Sequence, residues 1–252
     1  MDLGLSGRVY IVTAASRGLG MATAEALVGD GAKVVVSSRS REAIEAAASS
    51  LGADNAVAVA VDNADPDAAE RLVSAAVERF GRLDGILISV GGPLPGPVTA
   101  ITDDQWRGAF ETVFVGGLRL ARAVAERLET GGSIVFVLST SVKQPIGGLA
   151  VSNGLRPGLA MTAKTLADEL GPRGIRVNGL LPGRVETERV KELDGMSDDP
   201  AATRAGHEAS IPLRRYGQPK EFGRTAAFLL SPASDYVTGV MLPVDGGLTR
   251  AL

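Results

Sequence analysis

The sequence predicts an α/β fold, a single doubly wound parallel sheet of about seven strands with helices on both faces, from three features. Short β-branched runs recur along the chain, amphipathic stretches of helical period separate them, and a glycine-rich turn joins the first run to the first helix. At 252 residues the chain suits one domain, taken as 1–252.

The first strand is Val9–Val12, and the helix after the turn ends at Asp30-Gly31, where glycine takes a left-handed cap. Val34–Val36 is the second strand and Val57–Val61 the third. Asp65 and Pro66 open a helix as N-cap and first helical residue, with Ala69, Leu72, Val73, Ala76 and Phe80 on its apolar face. After the fourth strand, Ile86–Ile88, Thr102 and Gln105 form a capping box with Asp103 and Asp104 in the first turn. The long helix that follows is expected to bury Trp106, Phe110, Val113, Gly117, Leu120 and Val124. Ile134–Leu138 is the fifth strand, and a helix carrying Leu159, Ala163, Leu166 and Leu170 comes next. Val177–Leu181 is the sixth, and Val240–Val244 the seventh, after a helix opened by Pro219. Strands alternating with helices in this way give a Rossmann-like layout. Residues 184–218 break the rhythm with charges, Gly195 and Asp198-Asp199-Pro200 but no clean apolar period. They read as a long irregular substrate lid, the plainer alternative being a surface insertion.

Apolar residues make up 45% and charged residues 22%, which excludes disorder, collagen and coiled coil. With 26 basic and 29 acidic side chains there is no global field to gather nucleic acid or a membrane surface, so neither is an expected partner. The absence of cysteine excludes disulfides, thiolate catalysis and Cys-ligated zinc, and the single histidine leaves no metal site expected. No apolar stretch approaches the ~20 residues that span a bilayer. The first residues lack the basic start and apolar core of a secretion signal, so a cytoplasmic location is expected.

Thr13–Gly20 lies where the first strand meets the first helix. Gly18 and Gly20 let the backbone approach a pyrophosphate, while the helix start offers free N–H groups and a positive dipole end. Thr13, Ser16, Arg17 and Leu19 belong to the same turn. Ala14 stands where a glycine is expected, which is tolerable if its φ is negative, at some loss of affinity. At the end of the second strand a carboxylate would accept the ribose hydroxyls of NAD, but the chain reads Ser37-Ser38-Arg39-Ser40-Arg41. With Ser38 in that position, and Arg17 and Arg39 as donors to a 2′-phosphate, NADP is the expected cofactor. The plainer readings are a tight turn without ligand and solvated surface arginines.

In these residues the chain resembles the short-chain dehydrogenase/reductase family, particularly its β-ketoacyl carrier-protein reductase-like members, over essentially its whole length. Thr13–Gly20 is similar to the family's Thr-Gly-x-x-x-Gly-x-Gly, and Val61-Asp62 to its adenine-contacting strand end. Leu181–Thr187 is similar to its Pro-Gly-x-x-x-Thr at the nicotinamide; Ser234–Gly239 and Asp245-Gly246-Gly247 resemble its C-terminal strand region. The resemblance implies cofactor contacts from Asp62, Asn63, Gly91, Pro182, Gly183, Val185 and Thr187. It also implies reduction of a carbonyl such as that of a 3-oxoacyl group, or oxidation of an alcohol. A homotetramer follows too, with interfaces on the helices after Thr102 and Arg156.

The family's catalytic residues are Asn, Ser, Tyr and Lys, and their positions are found by spacing. Ser139 matches the serine; the tyrosine position, thirteen residues on, holds Ser152, the lysine position Arg156 and the asparagine position Val113. The family's Asn-Asn-Ala-Gly is here Ser89-Val90-Gly91-Gly92. A serine is far less acidic than a tyrosine, and arginine cannot pass a proton on. Loss of a positioned general acid typically forfeits roughly 10²–10⁴ in rate. Tyr216, His207 and Lys143 are the substitutes weighed, while Tyr10 is expected in the core and Tyr236 in a structural position. Pro157 is expected to delay or kink the helix carrying Arg156 and so to misdirect its side chain.

Two functions stay open: an oxidoreductase with Ser139, Ser152 and Arg156 as unusual catalytic residues acting on a small molecule, or a weak or inactive NADP-binding regulatory protein. Halohydrin dehalogenase chemistry fits less well, since those relatives keep the tyrosine and lose the nucleotide loop. The enoyl reductase branch fails for want of a tyrosine in 145–165, and a P-loop for want of Gly-Lys-Ser/Thr.

Overall fold

The structure, a computed structural model, describes residues 2–128 and 131–251, so the two ends of the expected domain and residues 129–130 lie outside it. In chain order the elements are β1 (Val9–Val12), α1 (Gly18–Gly29), β2 (Lys33–Ser38), α2 (Arg41–Leu51), β3 (Ala56–Ala60), α3 (Ala68–Phe80) and β4 (Gly85–Ile88). There follow α4 (Asp103–Ala109), a π-turn (Phe110–Val115), α5 (Gly116–Arg127), β5 (Gly132–Val137), α6 (Ala150–Leu170) and β6 (Ile175–Pro182). The chain finishes with α7 (Glu188–Asp194), α8 (Pro200–Ser210), α9 (Pro219–Leu230) and β7 (Met241–Val244).

The seven strands form one parallel sheet in the order β3-β2-β1-β4-β5-β6-β7. Alternation along each strand divides the core in two. Val9, Ile11 and Val35 face α3, α5 and α6, where Leu72, Leu120, Val124, Leu159 and Ala163 are buried. Tyr10, Val12, Val34 and Val36 face α1, α2 and α9 with Leu27, Ile44, Leu51 and Phe222. Each buried Val, Leu, Ile or Phe among them contributes about 1.5–3 kcal/mol. The order in which successive strands are added reverses between β1 and β4, so the crevice at their carboxyl ends is the place where this fold class binds ligands.

Five expectations need correction. Residues 41–51, given no element above, are a helix: the Ser40 hydroxyl accepts from Ala43 N at 3.3 Å, and Ile44, Ala47, Ala48 and Leu51 form its buried stripe. Residues 184–218 are not irregular throughout, since Thr187 and Asp199 cap the short helices α7 and α8. The long helix contains a π-turn at Phe110–Val115, which leaves Phe110 44% exposed and stacked on Phe114, with Trp106 half-buried. Pro157 neither delays nor breaks α6, which runs unbroken from Ala150 to Leu170. Its first two turns are pinned from outside. Asn153 bonds both Ile146 N and Ile146 O, Ser152 bonds Ser141, and Arg156 bonds the end of β5, which together outweigh a proline cost of about 3 kcal/mol. The helix expected from Asp65-Pro66 begins at Ala68, after a turn closed by Ala68 N on Asp65 O.

Candidate active site at the carboxyl edge of the sheet

The glycine turn is held from both sides. Thr13 Oγ1 donates to Ser89 O at 2.6 Å and accepts from Ser89 N at 2.8 Å, which ties the end of β1 to the end of β4. Asn63, buried, adds a bond from its Nδ2 to the same carbonyl. Thr13 and Asn63 therefore shape the crevice through the scaffold. Gly18 has φ +62°, and a Cβ on Gly20 would meet Ala14 O at 2.5 Å, so α1 presses directly on the turn. Ala14 has φ +51°, against the condition set above, and an L-residue there costs roughly 1–2 kcal/mol.

Side chains cap the starts of α2, α4, α7 and α8, but none caps α1, whose preceding residue is Arg17. Its first-turn N–H groups are directed at the crevice without a protein acceptor from a side chain, an arrangement suited to phosphate. Ser16 and Leu19 are half-buried beside it. Ser38 Oγ donates to Ser40 O at 3.2 Å, while Arg39 is exposed and makes no hydrogen bond or ion pair among the described residues. Arg17 lies 3.9 Å from Glu192 of α7, an exposed contact of little energetic weight. Asp62 Oδ1 accepts from Ala64 N, and Gly91 leaves open space where a side chain would stand.

From the far side, Thr187 approaches Gly18, with its Cγ2 at 3.6 Å from the position of an added Cβ. Gly183 is packed on Asp245, Pro182 is half-buried and Val185 is buried, pairing with Gly217. Arg189 of α7 reaches across to Pro93 O at 2.8 Å and covers Gly92. The 184–218 segment is thus folded over the crevice. The groups present, glycine turn, uncapped helix start, unpaired Arg39 and open Gly91, fit a phosphorylated dinucleotide.

Ser139, half-buried, accepts from Ser141 N at 3.1 Å. Ser152 is buried and its hydroxyl lies 3.0 Å from Ser141 Oγ, a partner the sequence reading missed because the contact joins two elements eleven residues apart. Arg156, one turn along α6 from Ser152, is 5% exposed and donates from Nη1 to Val137 O at 2.6 Å and Leu138 O at 2.9 Å. Burial lowers its pKa to about 10, with no carboxylate opposing the shift. Val113 is buried.

The substitutes for a tyrosine are committed elsewhere. Tyr216 OH donates to Asp194 Oδ2 at 2.9 Å, and burial followed by that bond raises its pKa to about 12. Arg184 bridges the same Asp194 at 2.9 Å and His207 Nε2 at 2.8 Å. Since a guanidinium only donates, His207 accepts as the neutral ring, and burial with Arg184 lowers its pKa. Tyr10 OH is spent on Leu230 O, and burial raises its pKa. Tyr236 is fully exposed and Lys143 is exposed. No helix among the described residues is long and apolar enough to cross a membrane.

Comparison with known proteins agrees with this geometry. A family model described as Enoyl-(Acyl carrier protein) reductase matches residues 13–249. An uncharacterized oxidoreductase of Methylorubrum extorquens is 37% identical over 251 residues, 97% of this chain and 98% of that protein. The 3-oxoacyl-[acyl-carrier-protein] reductase of Escherichia coli strain K12 is 33% identical over 248 residues, 98% of this chain and 99% of its own. The crystal structure of L-sorbose reductase from Gluconobacter frateurii, complexed with NADPH and L-sorbose, superposes with a TM-score of 0.92 at 30% identity over 100% of both chains. With the sheet order, the crevice and these matches together, the chain belongs to the short-chain dehydrogenase/reductase family of oxidoreductases.

Proposed function

We propose that the chain is an NADP-dependent oxidoreductase that reduces a carbonyl of a small molecule, a 3-oxoacyl group among the candidates, or oxidises the matching alcohol. The observation that carries the reading is the pairing of an uncapped α1 start with Arg39, an exposed guanidinium at the end of β2 without a partner among the described residues. Both are acceptor-seeking groups that phosphates would complete, and Ser37–Arg41 holds no carboxylate to repel a 2′-phosphate. The NADPH in the sorbose reductase complex and the named activity of the Escherichia coli relative support the coenzyme and the reaction type.

Bound there, the reduced coenzyme supplies a hydride. The chain's own residues manage the substrate oxygen. Ser139 Oγ already accepts from Ser141 N, so its own O–H is left to donate to that oxygen as charge develops. Ser152 supplies the proton, and Ser141, 3.0 Å away, is the next group in line to restore it. A serine pair is a weak acid, so turnover is slow, with roughly 10²–10⁴ of rate forgone. The 184–218 segment acts as the lid: Arg189 and Thr187 bring α7 against the glycine turn and the loop after β4. The same reading includes a homotetramer, supported by Phe110, 44% exposed, and Met161, 70% exposed, on the helices expected at its interfaces.

A coenzyme-binding protein without turnover is the second reading, favoured by the commitment of Tyr216 and His207 to Asp194 and Arg184. NADPH oxidation across ketones, oxo acids and a 3-oxoacyl thioester decides between them. Turnover lost in Ser152→Ala supports the first; tight NADPH binding without turnover on any carbonyl supports the second.

A further inference from the structure

Four charged side chains are buried among the described residues: Asp84, Asp194, Arg156 and Arg176. Asp84 is matched by Arg8 at 3.0 Å and Arg82 at 2.6 Å, and Asp194 by Arg184 at 2.9 Å. Arg176 is surrounded by five acceptors and feels the charge of Asp235. Arg156 alone has no opposite charge. Its Nη1 is used by Val137 O and Leu138 O, while Nε and Nη2 meet no acceptor among the described residues and neither nitrogen is sealed from solvent. A buried cation that keeps three N–H bonds unspent is costly unless something outside the chain completes it.

We propose that Arg156 is the receptor for a substrate carboxylate, so that the protein acts on a small oxo or hydroxy acid. The inference rests on the oxidoreductase reading and narrows its substrate. Leu138 O, 2.9 Å from the guanidinium, is the carbonyl of the peptide that leads into Ser139. The cation therefore sits beside the peptide of Ser139, the serine to which the proposed function gives the substrate oxygen, so that a carboxylate on the same small substrate falls within its reach. Sugar hydroxyls would satisfy the free N–H bonds but leave the charge unopposed, whereas a carboxylate does both through a two-point contact. The carboxylate itself is unchanged by the reaction.

The test is calorimetric titration of oxalate and malonate, and of their neutral diamides oxamide and malonamide, into the protein saturated with NADPH. The acids are expected to bind at least roughly tenfold tighter than the diamides. Arg156→Gln is expected to erase the difference, and Arg156→Lys, which keeps the charge without the fork, to retain part of it. Equal affinities for acid and diamide, or no binding of either to the NADPH-loaded protein, would overturn the inference and leave the coenzyme reading standing. Failure of NADPH itself to bind, read in the first titration, would remove both. Should Arg156→Gln not fold, the comparison on the unsubstituted protein decides alone.

Discussion

The two ends of the parallel sheet each bury an arginine, and they use it in opposite ways. At the amino end, Arg176 closes the last carbonyls of α9 through Leu229 O, Leu230 O and Ser231 O and also reaches Ser234 Oγ at 2.7 Å. Arg173 does the same for α5 at Ala125 O and Leu128 O. A cavity of about 550 Å³ at this end is lined by Arg8, Arg82 and Asp84, whose charges already answer one another. At the carboxyl end, among the described residues, α1 starts without a side-chain cap, Arg39 has no partner, and Arg156 spends one nitrogen of three. Donors satisfied within the chain build the scaffold; donors left over mark the place where a ligand belongs.

The largest expected effect lies in the chemistry of the carboxyl end. Ser152→Tyr combined with Arg156→Lys is expected to raise carbonyl reduction by roughly 10²–10⁴, read as kcat with NADPH on the best substrate of the panel. An unchanged rate would mean that the side chains at positions 152 and 156 are not what limits this site. Next comes the contrast between the arginines themselves. Arg176→Met strands several buried acceptors and is expected to cost about 3–5 kcal/mol in urea unfolding. Arg156→Met loses the bonds to Val137 O and Leu138 O but also removes an unopposed charge, and is expected to cost less, about 1–2 kcal/mol. Equal losses would erase the distinction between scaffold and site.

Smaller effects sharpen the same division. Ala14→Gly relieves the φ of +51° and is expected to stabilise by about 1 kcal/mol, with NADPH affinity rising or unchanged. The smallest concerns His207, in the 184–218 segment. His207 titrates below its ordinary value of 6.5 because burial and Arg184 disfavour its cation. The unfolded chain therefore takes up the proton first as pH falls. The stability that His207 contributes is complete above 6.5 and is lost as pH falls from there through its folded pKa. His207→Gln is expected to flatten that part of the stability profile, measured by thermal unfolding across pH.

Much of the fold was legible because β-branched runs such as Val34–Val36 are buried on both faces and carry an unambiguous signal. The glycine turn was legible for a similar reason, since Gly20 is demanded by a close backbone approach. The helix at Arg41–Leu51 carries a weak signal because half of its buried stripe, Ala47 and Ala48, is alanine. The helices within 184–218 are short and capped locally, so no long period announces them. Pro157 misled because a local rule gave way to the tertiary anchors of Ser152, Asn153 and Arg156. Ser141 and the unspent edge of Arg156 depend on what packs across from α6, which no spacing records.

The central claim is that the carboxyl edge grips a phosphorylated nicotinamide coenzyme through the start of α1 and Arg39. Calorimetric titration of NADPH and NADH into the unsubstituted protein and into Arg39→Ala tests it most directly. NADPH is expected to bind at least roughly tenfold tighter than NADH, and Arg39→Ala to bring the two together, as the loss of one charge-assisted contact requires. Equal affinity for both coenzymes in the unsubstituted protein, or no heat with either, would contradict it.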